Sequence, residues 1–278
     1  MRTMTKNLSA MFVALSLALP LCLLIGAPIL GLLGALSMDE LFEALGRPAF
    51  RKSLWVSIET SLASLAVVLL LGTPTAWLIS SLNEKKRARI IPFIEFPIVM
   101  PPAVVGLGLL LGLGPTSLLG TQLAQFGISL PFTKIAVIIA QVIVSAPFFI
   151  SAAISAFSTM DKDVLLVART LGLSRLGVLR AVIIPMTLPS LISGAALSWA
   201  RSLGEFGATL LFAGSLEGVT LTMPLAIYSM LESDVSVAIA LAVALMVIAL
   251  LLLTALRALP FTIKRLTQFH TRGWRHNQ

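Results

Sequence analysis

Charge is scarce in this sequence. Of its 278 residues, 12% are Asp, Glu, Lys or Arg, about half the ~25% usual in a soluble domain. Cysteine occurs once, at Cys22, which excludes an internal disulfide. His270 and His276 stand in a polar C-terminal tail without a nearby Cys or acidic cluster, so a solvated tail is expected rather than a metal site. No G-x-x-x-x-G-K-[ST] stretch is present to cradle nucleotide phosphates. A Ser/His/Asp or His-Glu-x-x-His constellation is equally missing. The chain is therefore not expected to act as an enzyme by itself, and no cofactor is expected on it.

What fills the sequence instead is apolar: 58% of its residues are hydrophobic. A bilayer core needs about 20 consecutive apolar residues per helix. Six such runs are predicted, at about 9–35, 54–80, 90–113, 135–157, 188–213 and 235–256. An all-α integral membrane protein of six transmembrane helices follows, in one domain over 1–278, because lipid leaves backbone groups no partner but the helix itself. The first run is longer than a signal-peptide core and is read as an uncleaved span.

The net charge of +8 does not signal nucleic acid, since the basic residues are dispersed in short loops. With the N-terminus in the cytoplasm, fifteen Lys and Arg fall inside, among them Arg2, Lys6, Arg87, Arg175, Arg257 and Arg275. Four fall outside: Arg47, Arg51, Lys52 and Lys134. That asymmetry predicts both termini in the cytoplasm.

It also places the loop 159–187 on the cytoplasmic side. Asp161 can cap a short helix carrying Leu166, Val167, Ala168 and Arg169. Gly172 suits a left-handed stop. Ser174 can cap a second short helix, and Pro185 and Pro189 are expected to interrupt the chain as it re-enters the membrane. From the residues alone, two readings stand: a knob that docks into a partner, or a helix lying on the headgroups.

The spacing Ala168, Gly172, Val182, Ile184, Pro185 resembles the "EAA" loop of the permease subunits of binding-protein-dependent ABC importers. That loop reads Glu-Ala-Ala, three residues, Gly, nine residues, Ile-x-Leu-Pro. Here Leu166 stands where the family has Glu, and Val167 where it has Ala. The resemblance implies a type I importer architecture. It makes Leu166, Val167, Ala168, Arg169, Gly172 and Pro185 candidates for coupling to a cytoplasmic ABC ATPase dimer, which would hold the ATP and Mg.

In the fifth run, Arg201 and Glu205 are spaced to meet on one helix face, and Ser198, Ser202 and Thr209 are expected to extend it as a polar stripe. An arginine at mid-bilayer costs at least about 2.5–3.5 kcal/mol and must face protein, a partner or water. The pair either fixes helix packing or lines an anion pathway. Gly204 and Gly207 would admit another backbone. Glu59 and Glu95 either pair with Arg201 or lie near a headgroup boundary. "RSLGEFGATLLFAG", "TLTMPLAIYSMLESD" and "FPIVMPPAVVGLGLLLGLGP" resemble the molybdate and tungstate permeases of that family, in which Pro101 and Pro102 break the third span. The resemblance implies a homodimer in a prokaryotic inner membrane, served by an extracytoplasmic solute-binding protein. A sulfate or thiosulfate permease and, further off, a secondary transporter are the alternatives.

Overall fold

A computed structural model describes residues 2–35 and 37–273. Arg275 and His276 lie outside them, as do the side chains of Arg2, Lys6, Lys162, Arg175, Arg257, Lys264, Arg265, His270 and Arg272. The described residues hold helices and no strand. Helix α1 (Arg2–Gly34) leads into a short α2 (Met38–Gly46) and a long α3 (Pro48–Ser80). Two helices, α4 (Glu84–Val99) and α5 (Pro102–Leu113), meet at a bend of 101°. Helix α6 (Leu118–Gln125) is short, and α7 (Lys134–Ser158) is long. The hairpin is α8 (Lys162–Thr170) and α9 (Arg175–Val178), followed by a π turn over Leu179–Ile183. After it come α10 (Ile184–Leu203), α11 (Gly207–Ala213), α12 (Met223–Met230) and α13 (Val235–Gly273). Among the described residues, five helices are long and apolar enough to cross a membrane, and a sixth crossing results if α4 and α5 count as one broken span.

Polar residues at the helix starts explain where the elements begin. Ser37 and Glu40 form a reciprocal capping box on α2. Asn83 accepts from Lys86 N at 2.9 Å to start α4, and Thr133 accepts from Ala136 N at 3.2 Å to start α7. Proline behaves differently from expectation on re-entry. Pro185 stands in the first turn of α10, directly after the π turn, and Pro189 lies inside α10 without ending it. The break in α-helical geometry falls earlier, in the π turn.

Helices α3, α7 and α10 pack as the centre of the bundle. Val68, Ala76 and Ile79 meet Phe149, Ala153 and Ile154 there. A second cluster joins Phe50 to Met223, Leu225, Val237 and Leu241. Unlike a soluble core, this one carries a polar seam: Ser53, Ser57, Thr60, Ser61 and Ser64 are all buried along α3. Small hydroxyl residues let helices approach closely and bond across the contact. Trp199 Nε1 donates to Ser61 Oγ at 3.0 Å, Met223 N to Ser57 Oγ at 2.7 Å, and Ser198 Oγ to Ser145 O at 3.0 Å.

Candidate functional site: a protruding hairpin and a pair of broken helices

The hairpin is closed by local chemistry. Asp161 Oδ1 accepts from Asp163 N at 2.9 Å, capping α8. At the other end Gly172 has φ +83, a conformation a side chain disfavours. Gly172 N donates to Arg169 O at 3.0 Å and Leu173 N to Ala168 O at 3.3 Å, the double closure of a Schellman motif. Ser174 Oγ then accepts from Gly177 N at 3.1 Å. Ala168 is buried with Val178 and Ile183 and seals the hairpin from within. Leu166, Val167, Arg169 and Leu171 are exposed instead, so the candidate coupling residues divide into an inner seal and an outer face. Pro185, exposed, stands apart from that face beyond the π turn.

The second candidate region is where two spans break side by side. The third span turns at Met100–Pro101, and the fifth stops being helical between Leu203 and Gly207. A Cβ on Gly207 would lie 3.1 Å from Pro102 Cβ and 3.2 Å from Ala103 N, so the two breaks touch. A Cβ on Gly204 would meet only its own helix, at Ala200 O; the second of the two expected close approaches does not occur within this chain.

The polar stripe of the fifth run splits at this break. Arg201 and Glu205 do meet, Nη1 to Oε2, at 2.8 Å, although the α-helix has ended between them. The Arg201 side chain is 30% exposed and that of Glu205 1%. Ser198, Ser202 and Thr209 are buried, facing the protein interior rather than sharing an open surface with Arg201. The break lets α11 turn Thr209 inward, where its Oγ1 has no hydrogen-bond partner. Of the two proline candidates, Pro101 is exposed and Pro102 half-buried. Glu59 pairs with Lys134 at 2.6 Å, and Glu95 Oε1 accepts from Ser151 Oγ at 2.9 Å. Neither is bonded to Arg201.

A cleft of about 220 Å³ between α4 and α7, not expected from the sequence, is lined by Arg87, Glu95, Ser151, Ser155 and Ser158 together with Ile91 and Ile154. Arg87 Nη1 donates to Ser158 Oγ at 3.0 Å. Its signal in the sequence is the set of serines at helical spacing, 151, 155 and 158; Arg87 carries no such signal, standing in a run of loop charges. Among the described residues no group of His, Cys, Asp and Glu is placed to hold a metal.

The profile of the family described as binding-protein-dependent transport system inner membrane component matches residues 68–264. The chain is 35% identical over 253 residues to the probable transport system permease protein NifC of Clostridium pasteurianum, across 91% of this chain and 88% of that one. It is 39% identical over 211 residues to the molybdenum transport system permease protein ModB of Mycobacterium tuberculosis, across 76% and 80%. To ModB of Escherichia coli it is 36% identical over 184 residues, across 64% and 80%. Among solved structures it resembles a chain of a bacterial ABC transporter that imports alginate, with TM-score 0.70 at 15% identity over 95% of this chain and 99% of that one. A chain of the MetNI methionine ABC transporter follows with TM-score 0.59 at 15% identity, over 76% and 94%. At such identities these structures speak to the fold alone.

Proposed function

The chain belongs to the family of binding-protein-dependent transport system inner membrane components, and we propose that it is the permease of an ATP-driven importer for a tetrahedral oxyanion, molybdate or tungstate. The observation that carries the substrate is its 39% identity to a molybdenum permease over 76% of its own length. Sulfate import and ATP-independent transport are not favoured by these relatives.

The geometry supports a division of labour. The hairpin 162–178, on the cytoplasmic side by the charge asymmetry of the loops, offers Leu166, Val167 and Leu171 to a partner ATPase while Ala168 holds it rigid. A rigid knob passes on displacement that a floppy loop would absorb. Broken spans meeting in the bundle are where transporters place solute contacts, because the backbone is open there. Arg201 offers a partly exposed guanidinium at that point, which suits an oxyanion. A second copy of the chain would complete the tunnel, and an extracytoplasmic binding protein would deliver the solute. ATP and Mg belong to the ATPase.

The test is reconstitution with the neighbouring ATPase and binding protein in liposomes. Labelled molybdate or tungstate should accumulate only with ATP inside; accumulation without ATP overturns the proposal.

A further inference from the structure

Glu205 uses its two oxygens for different tasks. Oε1 accepts from Ala208 N at 2.8 Å and so holds the first turn of α11. Oε2 lies 2.8 Å from Arg201 Nη1, yet no N–H is directed at it, leaving it a buried oxygen without a hydrogen-bond donor. The guanidinium is thus neutralised by contact, while its side chain stays 30% exposed and can turn N–H donors to another acceptor. The carboxylate cannot follow if Arg201 moves. It is tied to Ala208, and the Ala208 backbone sits against Gly106 so closely that a Cβ there would lie 2.6 Å from its carbonyl oxygen. One partner of this ion pair is anchored and buried; the other is partly exposed.

We propose that Glu205 sets the charge selectivity of the pathway, as a fixed internal anion that occupies Arg201 at rest and gives it up only to a doubly charged solute. This rests on the reading of Arg201 as a pathway contact. An approaching anion is attracted by Arg201 and repelled by Glu205 behind it, and both effects scale with its charge. The arginine is nearer, so the net attraction for a dianion is twice that for chloride. A tetrahedral oxyanion also accepts two parallel N–H donors from the guanidinium fork, which a single chloride cannot do. Glu205 lowers both attractions in proportion, so against the same cost of ordering an anion at the site the singly charged one is the first to lose its binding. Without Glu205, Arg201 would be a standing site for any small anion.

The experiment uses the full permease–ATPase complex with its binding protein, in liposomes carrying a chloride-sensitive dye and turning over ATP. Glu205→Gln keeps an amide oxygen to cap Ala208 N and removes the charge. Chloride entry is expected to rise roughly tenfold, with potassium entry unchanged. The double variant Arg201→Gln/Glu205→Gln should return chloride entry to the parent level. Should Glu205→Gln not assemble, Glu205→Ser takes its place with the same expectation. Parent-like chloride entry in an assembled variant, or equal leakage of chloride and potassium, overturns the proposal. Molybdate uptake by the double variant separates the two ideas: parent-like uptake removes Arg201 from the pathway altogether. Lost uptake without a chloride leak in the single variant overturns the selectivity role alone.

Discussion

Gly106 and Ala208 meet without room for a side chain between them: a Cβ at 106 would stand 2.6 Å from Ala208 O and 2.8 Å from Ala208 Cα. The contact joins α5 to α11, the half-helices that follow the two breaks. Backbone is on the receiving side, so no side chain can swing away to make space.

Gly106→Ala should therefore separate the half-helices and cost about 1–3 kcal/mol, the usual range for overpacking. The melting temperature of the purified permease is expected to fall. Gly108→Ala, with nothing within 4 Å of its added Cβ, is the control that should not lower it.

Arg201→Lys retains the charge that Glu205 needs and loses the planar fork. Assembly should be normal, while uptake of labelled oxyanion should drop about tenfold or more, the weight of one hydrogen bond to a charged group. Arg201→Ala is less informative, since an unpaired buried Glu205 costs folding about 3–5 kcal/mol.

At the hairpin, Gly172→Ala meets nothing within 4 Å, so its penalty comes only from the φ of +83, about 1–2 kcal/mol. Gly172→Pro also deletes the N–H that bonds Arg169 O and should abolish uptake. Leu171→Ser, at a side chain 78% exposed, should leave the permease stable and reduce the ATPase recovered with a tagged chain. Undiminished recovery and uptake in both would remove the hairpin from the coupling step.

Asp234, in the turn before α13, supplies a pH dependence. Ser236 Oγ donates to its Oδ1 at 2.6 Å and Val237 N at 3.2 Å. These hydrogen bonds, Ser236 first, and more weakly the Arg47 guanidinium hold its carboxyl below the usual range. A carboxyl depressed in the fold stabilises it above the unfolded value, near 3.9, and that stability disappears as pH falls through the folded value. The melting temperature of Asp234→Asn should lie below the parent's at neutral pH, with the gap closing only in acid below about pH 4.

Much of this was legible without coordinates, for a physical reason. The caps at Asp161 and Ser174, the stop at Gly172 and the pairing of Arg201 with Glu205 each involve residues within five positions of one another. The turn at Pro101–Pro102 is likewise a property of the local backbone. What escaped notice needed a second helix. The hydroxyl seam of α3 has meaning only against Trp199 and Met223. That Ala168 seals the hairpin from within likewise depends on Val178 and Ile183 folding back onto it.

By itself the sequence determined that this chain lives in lipid, where its hairpin is capped and closed, and that a charged pair would sit in its fifth span. Only the tertiary structure decided that the fifth span breaks beside that pair, that the break rests on the one in the third span, and that Glu205 is buried while Arg201 reaches the surface. Helix caps and four-residue pairs are settled by neighbours along the chain. Burial and the meeting of two breaks depend on which distant backbone arrives, and a glycine or an acid in a one-dimensional string looks the same whichever one does.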